Sequence, residues 1–112
     1  MYKISLGARV RDRVMFEENG RNIRLTVSGD AFKMVDALNE AKVQMTGVDS
    51  GSDEQVRQRA AMAFATAIFG HAQAKRLLDF YEGDSASVVA ACGKYFRERL
   101  ARKIAEVQMR AG

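Results

Sequence analysis

The chain has no proline and no tryptophan, a single cysteine, a single histidine and no long apolar run. Each shortage removes a class of protein. Cys92 alone cannot form an intramolecular disulfide or a multi-cysteine zinc site, which favours a reducing, intracellular setting. His71 has only amides and Lys75 nearby, with no H-x-x-x-H spacing, so it lacks the partners that metal binding or proton transfer requires. No stretch approaches the ~18 to 20 apolar residues of a membrane span, and the charges at Lys3, Arg9, Arg11, Asp12 and Arg13 break up any signal-peptide core. A soluble, cytoplasmic protein with no membrane partner is expected. Without proline to punctuate extended loops, a compact and mostly helical chain is expected.

What is present suffices for one core. A chain of 112 residues with 47% hydrophobic content closes a single domain, with residues 1–28 forming a β-hairpin region and residues 29–112 a helical one. Val14-Met15-Phe16 and Ile23-Arg24-Leu25-Thr26-Val27 favour strands, and Asn19-Gly20 between them is the dipeptide of a type I′ hairpin turn. Ile23, Leu25 and Val27 alternate with Arg24 and Thr26, so one face of the sheet is buried. A lone hairpin is marginal in water. It must pack on the helices, gain Tyr2 to Leu6 as a third strand, or pair with another chain.

The apolar period then changes from two to about three and a half. Ser28 or Asp30 can cap a helix running to about Thr46, with Ala31, Met34, Val35, Leu38, Ala41 and Met45 as its stripe. After a loop at residues 47–51, Ser52 and Gln55 make an S-x-x-Q capping box for a helix from Asp53 to about Phe69. That helix is expected to bury Val56, Ala60, Ala63, Phe64, Ala67 and Ile68, and Gly70 to end it in the left-handed conformation. A short helix follows from His71 to Tyr81. Asp84 or Ser85 caps the last, from Ala86 to about Met109. The fold class is therefore α+β, a small antiparallel sheet followed by about four helices.

No constellation of catalytic residues emerges, and no metal or cofactor is expected. Cys92 sits among Val88, Val89 and Phe96 and reads as a small core residue, while Asp53, Glu54 and Asp84 suit helix N-termini. Glycines 7, 20 and 29 do not make a phosphate loop. The last helix is different: Phe96, Leu100, Ile104 and Val107 continue a narrow apolar seam beyond the surface that so small a domain readily supplies. Those four residues are the candidate protein-interaction or self-association face, against the alternative that they pack on the first two helices. The six methionines, among them Met34, Met45, Met62 and Met109, would suit an adaptable surface.

Charge offers a rival. Residues 1–28 carry six basic and three acidic groups, residues 29–93 six and nine, and residues 94–112 six and two. Both ends are basic. Lys94, Arg97, Arg99, Arg102, Lys103 and Arg110 could line a phosphate-binding face for nucleic acid, although no helix-turn-helix or RNA-binding motif accompanies them.

The order of elements, and within it R-Q-R-A-A-M-A-F-A-T-A-I-F-G-H-A-Q-A-K-R-L-L, resembles a family of small proteins encoded in phage and prophage tail-gene clusters, the tail assembly chaperone-like proteins. Phe64, Ile68, Phe69, Gly70, Ala74, Lys75, Leu77 and Leu78 carry the resemblance, with Val89 and Phe96 in the closing helix, over about residues 23 to 100. It implies a non-enzymatic protein of the bacterial host cytoplasm that binds tape-measure or tube subunits. The arginine-rich last helix and basic N-terminus depart from that family pattern.

Overall fold

The structure is a computed structural model that describes residues 8–49 and 51–111. It is an α+β fold: an antiparallel hairpin of β1 (Arg9–Glu18) and β2 (Arg21–Asp30), followed by α1 (Ala31–Met45), α2 (Glu54–Phe69), α3 (His71–Phe80) and a last helical body. That body has two parts, α4 (Ser85–Tyr95) and α5 (Ala101–Ala111), joined by a five-residue π-helical turn at Phe96–Leu100. The possible third strand, Tyr2 to Leu6, lies outside the described residues.

The hairpin closes through Asn19 and Gly20 at φ 50° and 80°, the positive values that a type I′ turn needs. Glu18 faces Arg21 and the register runs without a bulge to Arg9 facing Asp30. Val10, Ile23, Leu25 and Val27 are buried and Val14 and Phe16 half-buried, which makes the sheet one-sided as the alternation requires. The helices cover that inner face.

Asp30, rather than Ser28, caps α1 by accepting the Phe32 and Lys33 amides, each at 3.0 Å. The α2 cap differs from expectation. Asp53 accepts the Gln55 amide at 2.8 Å, while the Ser52 hydroxyl accepts the Asp49 amide at 3.0 Å, so no Ser52–Gln55 capping box forms. A carboxylate one residue nearer the helix is the stronger acceptor for its positive end. The buried face of α2 is also rotated from the expected one: Ala60, Ala61, Ala65, Ile68 and Phe69 are inside, while Val56 is 41% exposed at the first turn. The alanines of α2 spread over more than half of its circumference, across both the expected and the observed face, so their spacing does not define one.

Gly70 has φ 83° and ψ 161°, positive in φ as expected but extended rather than left-handed helical in ψ. Only glycine occupies that region readily. It ends α2 and starts α3 within one residue, swinging the chain so that Ala74 and Leu77 enter the core beside Ile68 and Phe69.

The π turn decides what α5 buries. Along α4 the core-facing residues are Val88, Cys92 and Tyr95; the next on a regular helix would be position 99, an arginine. Instead the Ala101 amide bonds back five residues to the Phe96 carbonyl. One extra residue rotates the succeeding helix by about 100°. Leu100, Ile104 and Val107 thereby join the same cluster as Leu25 and Leu77, and Arg99 turns outward. The single long helix expected from Ala86 to Met109 is thus two helices whose phases differ.

Candidate partner-binding surface

Beneath β1, one carboxylate ties the hairpin to the last helical body. Asp12 points inward from an edge strand with its side chain only 6% exposed. It accepts the Tyr95 hydroxyl at 2.7 Å, Arg99 Nε at 2.7 Å, Arg99 Nη2 at 3.0 Å and the Arg13 amide at 2.9 Å. Lys103 Nζ lies 3.9 Å away. Burial pushes the Asp12 carboxyl up, but the Arg99, Tyr95 and Arg13 hydrogen bonds and the Lys103 charge outweigh it and leave the group below its ordinary value. Tyr95 moves the other way, because burial and the adjacent carboxylate both resist its ionisation. The Tyr95 ring stacks on Phe69 at 5.9 Å, and Phe69 meets Phe16 edge-on at 5.9 Å. A closed circuit of contacts therefore runs from β1 through α2 and α4 back to β1.

The two sheet edges are treated differently. On β2, the Gln73 side chain of α3 imitates a neighbouring strand: Oε1 accepts the Thr26 amide at 2.8 Å and Nε2 donates to the Thr26 carbonyl at 2.7 Å. Arg21 donates to the Phe80 carbonyl at 2.9 Å, with its guanidinium 5.0 Å from the Phe80 ring centroid. On β1, a groove of about 470 Å³ runs between Val14–Glu17 and the residues Tyr81, Ala91, Lys94, Tyr95 and Glu98. The outer face of the hairpin carries Arg11, Arg13 and Arg24, with Met15 48% exposed among them.

The candidate interaction residues separate. Leu100 is fully buried and Ile104 and Val107 are buried with it, so the seam is covered from inside by the chain's own core rather than offered to a partner. The π turn, which spacing alone does not reveal, supplies that missing cover. Phe96 is half-buried and lines a cleft of about 330 Å³ with Leu38, Asn39, Lys42, Met45 and Phe64. Among the basic candidates, Lys94, Arg97, Arg102 and Arg110 are exposed, whereas Arg99 and Lys103 face Asp12. Asp12 is the site residue that sequence reasoning misses. An acid at an inward position of an alternating strand is the available signal.

His71 is exposed at the start of α3. Cys92 is buried, and burial pushes its thiol up to about 12, as suits a core residue rather than a nucleophile. Asp84 caps α4, accepting the Ser87 hydroxyl at 2.7 Å and the Ala86 amide at 3.2 Å. Glu54 pairs with Arg57 in the first turns of α2. Among the described residues no group of three or more His, Cys, Asp or Glu side chains is arranged to hold a metal, and no helix is long and apolar enough to cross a membrane.

Compared with protein-family models, curated proteins and solved structures, the chain matches none of them.

Proposed function

We propose that this chain is a non-enzymatic, phage- or prophage-derived protein that binds partner proteins, tape-measure or tube subunits, during tail assembly in the cytoplasm of a bacterial host. What supports the reading is where the residues of the resemblance lie. Ile68, Phe69, Ala74 and Leu77 are buried around Gly70 at the α2–α3 corner, with Phe64, Leu78, Val89 and Phe96 packed around them. These residues set the shape of the domain, and partner contact falls to the surfaces they shape. Of the four seam residues, Phe96 is the one still open to a partner, through its cleft with Leu38, Met45 and Phe64.

The test is co-expression of the tagged chain with the tape-measure and tube proteins encoded beside its gene. Co-purification of either, weakened by Phe96→Glu in a variant that keeps its helical circular dichroism, is the expected result. Capture of neither protein, or a gene with no tail genes around it, removes the reading.

A second reading, a nucleic-acid-binding accessory protein, draws on the exposed Lys94, Arg97, Arg102 and Arg110 together with Arg11, Arg13 and Arg24. Its affinity for mixed-sequence DNA should fall steeply with salt, in proportion to the phosphates neutralised. Absence of binding at low salt excludes it.

A further inference from the structure

The groove beside β1 is bounded by main chain as well as by side chains. A two-residue hairpin loop closes on a hydrogen-bonded pair, here Glu18 with Arg21, and hydrogen-bonded pairs then alternate along the ladder. The even residues of β1 therefore bond to β2. Arg9, Arg11, Arg13, Met15 and Glu17 direct their N–H and C=O groups away from it, just as Thr26, opposite Arg13, directs its own pair toward Gln73. On β1 the Arg13 amide is taken by Asp12, but Arg11, Met15 and Glu17 have no backbone partner on that side among the described residues. On β2 the side chain that mimics a strand takes the Thr26 groups alone, whereas the β1 edge faces a trough floored by α4 and wide enough for an extended segment.

We propose that this trough is a strand-addition site, where an extended segment of a partner protein pairs antiparallel with Val14–Glu18 as a third strand. The inference rests on the partner-binding reading and names the surface and the chemistry of the segment. An added strand sits ~4.8 Å from β1, so its inward side chains fall beside Val14 and Phe16 and above Tyr81, Ala91 and Tyr95, which calls for small apolar residues at alternate positions. Ala91 leaves room for the incoming backbone. The charges set its direction. Arg11 and Arg13 mark one end of the edge and Glu17 and Glu18 the other, and these four residues are exposed. Antiparallel pairing then places the basic N-terminal end of the partner segment against the glutamates and its acidic C-terminal end against the arginines. Asp12, an inward charge that ordinarily discourages edge pairing, is already satisfied by Tyr95 and Arg99 and lies beyond the apolar stretch.

The probe is a synthetic peptide, acetyl-Lys-Lys-Val-Thr-Val-Asp-Ser-Asp-amide, whose aspartates fall opposite Arg13 and Arg11 when its valines lie beside Phe16 and Val14, added to the intact chain with residue-resolved amide exchange as the readout. At about nine-tenths occupancy the Met15 and Glu17 amides should exchange about tenfold more slowly. A peptide with its charged ends swapped should bind about threefold to tenfold more weakly. Met15→Pro removes an outward N–H that β2 does not use, and should abolish binding with the fold retained. Should that variant fail to fold, the Arg11→Glu, Arg13→Glu pair decides, because it must erase the preference for the unswapped peptide.

Three results overturn the proposal. One is no binding of either peptide. Another is Met15 and Glu17 already protected in the free chain at every concentration, which would mean that residues 1–7 fill the edge. The third is protection that grows with protein concentration alongside a doubled mass, which would make the occupant a second copy. Since the probe is synthetic, it can fail while tail proteins are still captured through the Phe96 cleft, and the two readings are judged separately.

Discussion

Replacing Asp12 with alanine tests the junction that holds the hairpin on the helices. The variant loses four hydrogen bonds, but they do not count equally. Arg99 is more than half exposed and is rehydrated when its partner goes, so its share is small. The Tyr95 hydroxyl is different, because Tyr95 is buried and would lose its acceptor in a site with little access to water. A hydrogen bond to a charged group in such a place contributes about 1.5 to 3 kcal/mol, so Asp12→Ala should cost about 2 kcal/mol at pH 7. In urea that is a midpoint lower by about 1 M. The pH dependence supplies the sharper test. A carboxyl lowered in the folded state stabilises it above the ordinary carboxylate value, and loses that contribution as pH falls through the lowered folded value. The gap between the parent chain and Asp12→Ala should therefore narrow as the pH is taken below about 3.8, the unperturbed value. Every other carboxylate is common to both proteins and cancels. A gap that stays constant down to pH 2.5, or a cost below about 0.5 kcal/mol at pH 7, would refute the assignment of Asp12 as a charged tie.

Three further outcomes are expected at separate places in the fold. Gly70→Ala meets no neighbouring atom within 4 Å but forces an alanine to φ 83° and ψ 161°, and should cost about 1 to 3 kcal/mol by thermal or chemical denaturation, a purely backbone effect. Gln73→Ala uncovers the Thr26 amide and carbonyl, so the Thr26 amide should exchange at least about tenfold faster while global stability falls by about 1 kcal/mol. Cys92, buried with its thiol pushed up to about 12, should resist a thiol-specific reagent at pH 8 in the folded protein and react only as fast as the chain opens, with the signal rising to one thiol in denaturant.

The hairpin is legible in the sequence because its signals agree: a turn dipeptide that fixes the register, and alternation that fixes which face is buried. The α2–α3 break at Gly70 is legible for a similar reason, since a glycine followed by a new apolar period leaves few alternatives. The helix cap is harder at α2, where Ser52 and Asp53 are both competent and only the path of the preceding loop selects Asp53. The phase of α2 cannot be read from a sequence in which alanines span both of the faces that could turn inward. The π turn is invisible because Val88, Cys92, Phe96, Leu100, Ile104 and Val107 fit a regular apolar stripe equally well. Only tertiary contact shows that Tyr95 is buried, Phe96 half-buried and Leu100 buried after one added residue. Asp12 is hidden for another reason: its partners stand 83 and 87 residues away, a separation at which local pattern carries no information.

The extra residue in the π turn also governs how chains of this architecture should be compared. Removing one residue from Phe96–Leu100 would turn the bulge into a regular α-helix, in which Leu100, Ile104 and Val107, each moved one place earlier, still face the core. A related chain one residue shorter there would have to carry its apolar positions one place earlier to bury the same side of α5. An alignment through this segment should therefore be anchored separately on Cys92 and Tyr95 and on Ile104 and Val107, with the length between them free to vary. A single gap at that point records a conserved packing arrangement rather than a divergent helix.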